Sequence, residues 1–283
     1  MTNSSQVLHF TLTAYFDIGS LKYLYFMMVM CFYVLIIGSN VLLIVVICVN
    51  RSLHEPMFLF LCSLFVNELF GSLGLFPFLL VQILSDVHSV SAPLCFLQIF
   101  CVYSYAAVEV LNLAVMSYDR YVAICFPLQY HSTMTDRKVA LLIALTWALP
   151  VLATVVLVSL SAPLRLCGNV IDKVFCGNFS IVKLSCSNTS VNNVYGLVLT
   201  VVSIVAPLVL ILYTYGKILE ILQSRFELSR VPPLLAIVLS LYFLTCQPLF
   251  NPALYGLKMA AIRDACKRLL CGENSAPAAA SHA

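Results

Sequence analysis

The chain has 283 residues, of which 62% are hydrophobic and only 10% are charged. Its mean hydropathy is +1.01. Soluble domains need far less apolar content to close a core, so this composition excludes an ordinary soluble protein and indicates several membrane spans. The formal net charge of +3 is spread over loops without a basic stripe, so we expect no nucleic-acid partner.

Six apolar runs are long enough to cross about 30 Å of hydrocarbon as helices. They are residues 23–50, 57–85, 89–118 with a helix continuing to 124, 139–160, 191–216 and 234–257. None shows the short alternation of barrel strands. The prediction is an all-α membrane protein in contact with lipid. Its parts are a tail at 1–22, a transmembrane bundle at 23–257 and a basic amphipathic, then disordered, segment at 258–283.

Basic residues and cysteines orient the predicted loops. The basic residues after the first and third runs are Arg51, Arg120, Arg137 and Lys138, which favours the cytoplasm for those loops. The loop at 161–190 holds three cysteines and glycosylation sequons at Asn178 and Asn188. Disulfides and glycans form on the extracellular side, and a sequon at Asn3 places the N-terminal tail on that side too.

Ten of the twelve cysteines fall into two groups. Six of the twelve lie inside apolar runs or at their ends, where small buried side chains are expected: Cys31, Cys48, Cys62, Cys101, Cys125 and Cys246. Cys95 opens the third run on the same side as the loop cysteines Cys167, Cys176 and Cys186. Four thiols in one oxidising compartment allow three pairings.

The third run ends in the sequence MSYDRYVAIC, residues 116–125. Arg120 keeps its proton and is costly at the membrane edge, so Asp119 can hold it in an ion pair until a partner competes for it. The alternative is a pair that only marks the membrane boundary. The charges alone leave both interpretations open.

The wider sequence resembles the odorant receptors of the rhodopsin-like G-protein-coupled family, particularly those of fish. The matching pieces are GSN (38–40), LHEPMFLFLCSLFVNELFG (53–71), MSYDRYVAICFPLQYHSTMT (116–135), Trp147, the three-cysteine loop and NPALYGLK (251–258). They cover nearly the whole chain. The resemblance implies a rhodopsin-like bundle in the plasma membrane that senses small odorant molecules and couples to a stimulatory heterotrimeric G protein.

The resemblance also implies pairings and an activation motif. Cys95 would pair with Cys176, and Cys167 with Cys186. The residues implied in activation and G-protein coupling are Asp119, Arg120, Tyr121, Asn251, Pro252 and Tyr255.

Two acids interrupt the apolar runs, Glu68 and Glu109. A carboxyl group in mid-bilayer is costly unless it faces the bundle and finds partners. With Asn40 and Asn251 the acids resemble the polar cluster that holds sodium or protons in this receptor class, although Glu68 stands where the class usually has aspartate. The alternative is a pair of neutral acids hydrogen-bonded across helices.

The ligand pocket is implied less directly. By the resemblance Tyr103, Ala106, Ala107 and Tyr195 line the extracellular half of the bundle, which predicts an apolar pocket with hydroxyl donors. Each of these residues is equally compatible with helix packing. The sequence has no metal-ligand spacing, nucleophile elbow or phosphate-binding loop, so we expect neither an enzyme nor a cofactor.

Residues 217–233 depart from the family pattern, which has seven helices. EILQSRFELSRVPP (220–233) resembles the outer end of the sixth helix and its following loop, joined directly to the end of the fifth. Each of its charges opposes insertion by about 2.5–3.5 kcal/mol at a helix centre, so no spanning helix is expected here. We predict a linker at a deletion junction, lacking the third cytoplasmic loop and most of helix six.

The deletion changes what the chain is expected to do. Either the linker crosses the membrane in extended form or the last helix, 234–257, inverts, and inversion is favoured because lipid leaves an extended backbone without partners. The predicted product is an odorant-type receptor with impaired signalling, retained in the endoplasmic reticulum if the deletion is real. The alternatives are a non-signalling membrane protein that binds intact receptors and a faulty gene model.

Overall fold

The computed structural model describes residues 7–15 and 19–226, with side chains up to residue 221. Within this part, five helices are long and apolar enough to cross a membrane: Leu21–Val49, Pro56–Leu84, Ala92–Cys125, Asp136–Ser161 and Ser190–Ile221. This confirms the prediction of a helical multi-pass membrane protein. The sixth predicted span, 234–257, and the tail at 258–283 lie outside the described residues.

The elements carry the following names. The helices are α1 (Leu21–Val49), α2 (Pro56–Leu84), α3 (Ala92–Cys125), α4 (Tyr130–Thr133), α5 (Asp136–Ser161), α6 (Asn178–Lys183), α7 (Ser190–Thr200) and α8 (Ala206–Phe226). Short 3₁₀ turns occupy Arg51–Leu53 and Pro127–Gln129, and a π-helical turn at Val201–Val205 joins α7 to α8. The strands are β1 (His9–Leu12), β2 (Ser89–Ser91) and β3 (Val170–Ile171).

The third predicted helix begins three residues late. Ser89–Ser91 forms strand β2 instead, because its backbone pairs with β1, with His9 opposite Ser91. The helix then starts at Ala92 with a proline in its first turn, where a missing N–H costs nothing.

The fifth helix is longer than the sequence predicts. It was predicted to end at 216, but α8 continues to Phe226, so the first ten residues of the predicted linker at 217–233 are helical. This segment has good helix formers, and Lys217 Nζ lies 2.8 Å from Glu220 Oε2 one turn later. Charge opposes insertion into lipid, but it does not oppose a helix that extends past the membrane edge.

Two apolar cores lie at opposite ends of the bundle. One core lies near Arg120, at the end of the bundle that is called the Arg120 end below. It packs α1, α2, α3 and α5 around Phe60, Leu61, Leu64 and Phe65. The opposite end, here the disulfide end, carries a small sheet of order β2-β1-β3. Phe10 and Leu12 of β1 point inward and are almost fully buried against Ile99 and Ile181. The N-terminal strand is therefore part of the folded bundle.

Candidate functional site

A cavity of about 710 Å³ opens between α3, α5, α6 and α7 at the disulfide end. Three of the residues predicted for the ligand pocket line it, Tyr103, Ala106 and Ala107. Its volume lies in the range of small-molecule sites. Asn178, Phe179 and Val182 of α6 also line the cavity, so α6 forms one wall.

Tyr195, the fourth predicted pocket residue, does not line the cavity. Its hydroxyl donates to the carbonyl of Ala153 on α5 at 2.9 Å, which turns the ring towards the α5 interface. The cavity side of this helix is formed by neighbours such as Asn192, Gly196 and Thr200. The Tyr195 ring therefore lies at the α5 interface and not on the cavity side of α7, and its position in the sequence does not distinguish these two faces.

Three polar side chains join the helices around the cavity by hydrogen bonds. The sequence analysis does not assign them to the ligand pocket. Ser161 Oγ donates to Asn178 Oδ1 at 2.7 Å, and Asn192 Nδ2 donates to Ser161 Oγ at 3.3 Å. Asn192 Nδ2 also donates to the carbonyl of Leu160 at 2.9 Å. Ser161, at the end of α5, is 1% exposed. These bonds tie α5, α6 and α7 together beside the cavity.

The same network weighs against one predicted glycan. Asn178 is only 6% exposed and its oxygen is bonded to Ser161, so the folded loop has no room for an oligosaccharide on this side chain. Asn188 is exposed and its Oδ1 accepts bonds from the backbone and the hydroxyl of Ser190. It remains a predicted glycosylation site. Asn3 lies outside the described residues.

The structure joins the cysteines in the two pairs that the family resemblance implies. Cys95 bonds to Cys176 with Cα atoms 5.4 Å apart, and Cys167 bonds to Cys186 with Cα atoms 5.6 Å apart. The first bond ties α3 to the loop that carries α6. The backbone N–H of Cys176 also donates to Gln98 Oε1 at 2.8 Å.

The two intramembrane acids meet between α2 and α3. Asn67 Nδ2 donates to Glu109 Oε2 at 3.0 Å, and the Tyr105 hydroxyl donates to Glu68 Oε2 at 3.2 Å. The side chains of Glu68 and Glu109 also lie within hydrogen-bonding reach of each other. Both acids are buried, with exposures of 1% and 8%. A site of this kind suits a shared proton or a small cation.

The close approach of α2 and α3 positions this pair. Gly71 lies beneath the Tyr105 ring, where any Cβ would collide with the ring carbons. A Cβ on Gly74 would lie 2.6 Å from the Cβ of Cys101. Both glycines therefore let Tyr105 cross to Glu68. The sequence analysis names neither Tyr105 nor Asn67, because an uncharged polar side chain marks an apolar run less clearly than a carboxyl group does.

Asn40 does not join the acids. It is fully buried, and its Nδ2 donates to the carbonyl of Ile36 on its own helix at 2.9 Å. Its Oδ1 makes no hydrogen bond within the part of the chain that is described. Asn251, the fourth predicted member, lies outside that part. A separate bridge runs beside the acids, in which Trp147 donates to Ser63 at 2.9 Å and Ser63 donates to Asn112 at 2.9 Å.

At the Arg120 end, Asp119 is fully buried while Arg120 is half-buried. Arg120 Nε lies 3.8 Å from Asp119 Oδ2, which is a loose ion pair. The stronger contact of Asp119 is to Tyr130, whose hydroxyl donates to Oδ1 at 2.8 Å. Tyr121 packs edge-on against Phe126 with ring centroids 5.7 Å apart. Pro252 and Tyr255 of the predicted activation motif lie outside the described residues.

Replacing Tyr130 by phenylalanine should loosen this end of the bundle. Tyr130 lies in α4, and burial together with its bond to Asp119 raises the pKa of its phenol, so the donor stays protonated throughout the physiological range. Losing the donor leaves a buried carboxylate oxygen unpaired, at a cost of about 1–3 kcal/mol. We expect a lower melting temperature for purified Tyr130→Phe protein.

Tyr118→Phe is the matched control. Its hydroxyl contacts Lys138 Nζ at 3.1 Å, near the surface of the bundle. This variant should change the melting temperature much less. Equal shifts for the two variants would contradict a special role of the Tyr130 bond.

A long helical bundle with buried acids, a disulfide-bonded loop and an Asp-Arg-Tyr motif defines a receptor of the rhodopsin type. Residues 39–261 match the family described as 7 transmembrane receptor (rhodopsin family), and the chain belongs to this family. Its relatives are receptors, so the chain is not an enzyme.

Within the family the chain groups with olfactory receptors. It is 33% identical to human olfactory receptor 11A1 over 303 residues, covering 95% of this chain and 96% of the relative. It is 31% identical to human olfactory receptor 56A4 over 273 residues, covering 84% and 87%. It is also 35% identical to mouse olfactory receptor 6E1 over 220 residues, covering 77% and 70%.

Proposed function

We propose that the chain is an odorant receptor polypeptide whose cavity at the disulfide end binds small neutral molecules. The observation that carries the proposal is the cavity of about 710 Å³, walled by Tyr103, Ala106 and Ala107 on one side and by α6 and α7 on the other. The lining is mostly apolar with a few polar groups, which is the usual composition of a small-molecule site. The olfactory names of the relatives support the same ligand class.

The coupling partner that fits is a stimulatory heterotrimeric G protein at the Arg120 end. Arg120 is only loosely paired with Asp119, since 3.8 Å separates Nε from Oδ2 and Tyr130 occupies the other carboxylate oxygen. A guanidinium held this weakly can exchange partners when a helix of another protein approaches.

The acid pair is a second element of this function. Glu68 and Glu109 share one buried site with Asn67 and the hydroxyl of Tyr105. A sodium ion or a shared proton would balance the two carboxyl groups and couple the packing of α2 and α3 to the ion.

The predicted deletion is supported by the lengths of the matches. The match to human olfactory receptor 11A1 spans 303 positions, but 95% of 283 residues is only about 269, so about 34 positions have no counterpart here. The shorter match to the mouse receptor spans 220 positions and uses 77% of the chain, about 218 residues, which leaves almost no deficit. The deficit appears only in longer matches, as one internal deletion would produce.

This deficit supports impaired signalling from the chain as written. About 34 residues correspond to one loop and one membrane-spanning helix, since a span needs about 20 residues. In receptors of this class the sixth helix moves outward to admit the G protein, so its absence removes one wall of the cleft. The same observation favours a second function, a non-signalling membrane protein that associates with intact receptors.

Filling the cavity should abolish ligand binding. Ala106→Trp adds an indole to the cavity wall, and we expect the affinity for hexanamide and 1-hexanol to fall at least tenfold. Binding is measured by saturation-transfer NMR on the full chain in lipid nanodiscs, so that no signalling is required.

Ala148→Trp is the matched control, because Ala148 lies on the exposed face of α5 away from the cavity. It should bind both probes as well as the unsubstituted chain. If the unsubstituted chain binds neither probe, or if Ala106→Trp binds both normally, the cavity is not the ligand site.

A further inference from the structure

The orientation of Asn192 at the cavity wall is fixed by a backbone group. A carbonyl oxygen only accepts hydrogen bonds, so the atom of Asn192 that lies 2.9 Å from the Leu160 carbonyl must be Nδ2. The same Nδ2 reaches Ser161 Oγ at 3.3 Å. The amide oxygen of Asn192 therefore points away from α5.

Asn178 bonds the same hydroxyl. Ser161 accepts a bond from Asn192, so its single hydroxyl proton is available for the bond of 2.7 Å to Asn178. The bonded atom of Asn178 is Oδ1, which accepts from the Ser161 hydroxyl. Its Nδ2 then points away from Ser161. Because Ser161 is 1% exposed, water does not compete for these bonds.

Two hydrogen-bonding atoms of opposite type are left beside the cavity. Among the described residues, no group is recorded as bonding Asn178 Nδ2 or Asn192 Oδ1, and both residues line the cavity. Their partner atoms, Asn178 Oδ1 and Asn192 Nδ2, bond the same Ser161 oxygen at 2.7 and 3.3 Å and so lie within about 6 Å of each other, which places the two side-chain amides next to one another. A ligand head group that lies against both amides would meet a donor on one and an acceptor on the other.

The rest of the described lining sets the remaining chemistry. It contains no charged side chain, and residues such as Val102, Leu157 and Ile204 give it an apolar character. Burying an ion here would be costly, whereas an alkyl or aryl body is favoured.

We propose that this cavity selects neutral molecules whose head group both donates and accepts a hydrogen bond, a primary carboxamide above all. Asn178 Nδ2 donates to the ligand oxygen and Asn192 Oδ1 accepts from the ligand N–H, while the apolar body lies along α3 and α7. The inference rests on the proposed function, since it names the ligand class of the same cavity.

A matched series of probes tests the head group. Hexanamide, 2-heptanone and heptane have similar apolar bodies, but the ketone only accepts a hydrogen bond and the alkane does neither. Leaving a buried polar group of the cavity without a partner lowers the affinity of a ligand, and a tenfold change in affinity corresponds to about 1.4 kcal/mol. We therefore expect hexanamide to bind about tenfold more tightly than 2-heptanone, as measured by saturation-transfer NMR on the full chain in nanodiscs.

The variant Asn178→Asp tests the donor. It keeps the oxygen that accepts from Ser161 but replaces the free Nδ2 by a second oxygen, so the preference for hexanamide should disappear. Asn169→Asp is the control in the same loop, because Asn169 is exposed and does not line the cavity. Ser180→Ala removes the sequon at Asn178 without changing that side chain, and it should leave the preference intact. Asn178→Ser serves as a second, neutral variant if the acid impairs folding.

The outcomes separate two failures. If no probe binds the unsubstituted chain, the proposed function is wrong. If the probes bind but hexanamide has no preference, or if the preference survives in both Asn178→Asp and Asn178→Ser, the head-group inference is overturned while the cavity remains a ligand site. A loss of preference in Ser180→Ala that matches the Asn178 variants would assign the effect to a glycan instead.

Discussion

Cells that express this chain with a stimulatory G protein should show no odorant-dependent rise in cAMP. The chain lacks about 34 positions present in human olfactory receptor 11A1, which is enough for a loop and a helix. If the proposed deletion removes helix six, the cleft beside Arg120 has one wall fewer, and a G-protein helix would gain too little contact to displace Asp119 from the guanidinium. Ligand binding at the disulfide end does not repair this deficit.

The matched experiment inserts the missing loop and helix before Glu220, taken from the 11A1 relative. This repaired chain should give a cAMP response to hexanamide, and Arg120→Ala in the repaired chain should abolish it. Arg137→Ala serves as a control, because Arg137 is a basic residue of the same end that lies outside the motif. A clear cAMP response from the chain as written would refute the impairment, and a silent repaired chain that reaches the surface would refute the coupling.

Helix existence was predictable from the sequence, because long apolar runs have few other solutions in a bilayer. The residues at which the helices begin and end were less predictable. The apolar pattern near Ser89 looks the same whether the backbone is helical or paired with β1, and only the distant residues His9–Leu12 decide it. Lys217 and Glu220 mark the end of the apolar run, but the helix continues through them as a solvated extension.

The site was predictable to the extent that rare residues mark it. Glu68 and Glu109 stand out because charge is costly in lipid, and their meeting follows from that cost. Tyr195 was assigned to the pocket, but a shift of one residue along a helix changes the face on which a side chain lies. The hydrogen bond of Tyr195 to Ala153 depends on a different helix and cannot be predicted from the neighbouring sequence. Asn178 was interpreted as a sequon, since only the folded loop reveals that Ser161 buries it.

Removing the disulfide between Cys95 and Cys176 should have the largest effect on stability. The bond closes a loop of 81 residues, for which chain entropy gives about 4.5 kcal/mol, against about 3 kcal/mol for the separation of 19 between Cys167 and Cys186. Both Cys95 and Cys176 are fully buried, so the loss also disturbs packed surroundings. We expect the double variant Cys95→Ala/Cys176→Ala to lose most surface expression.

The matched control for this prediction is Cys167→Ala/Cys186→Ala, which should remain closer to the unsubstituted chain in melting temperature and surface labelling. Non-reducing mass spectrometry should detect the two cross-links separately, and a peptide joining Cys95 to Cys186 would contradict the pairing. The physical reason for the difference is position. Cys176 lies two residues before Asn178 and its N–H is held by Gln98, so the first bond fixes the wall of the cavity as well as the loop. Its loss should therefore weaken hexanamide binding even at temperatures where the bundle is still folded, whereas loss of the second bond should not.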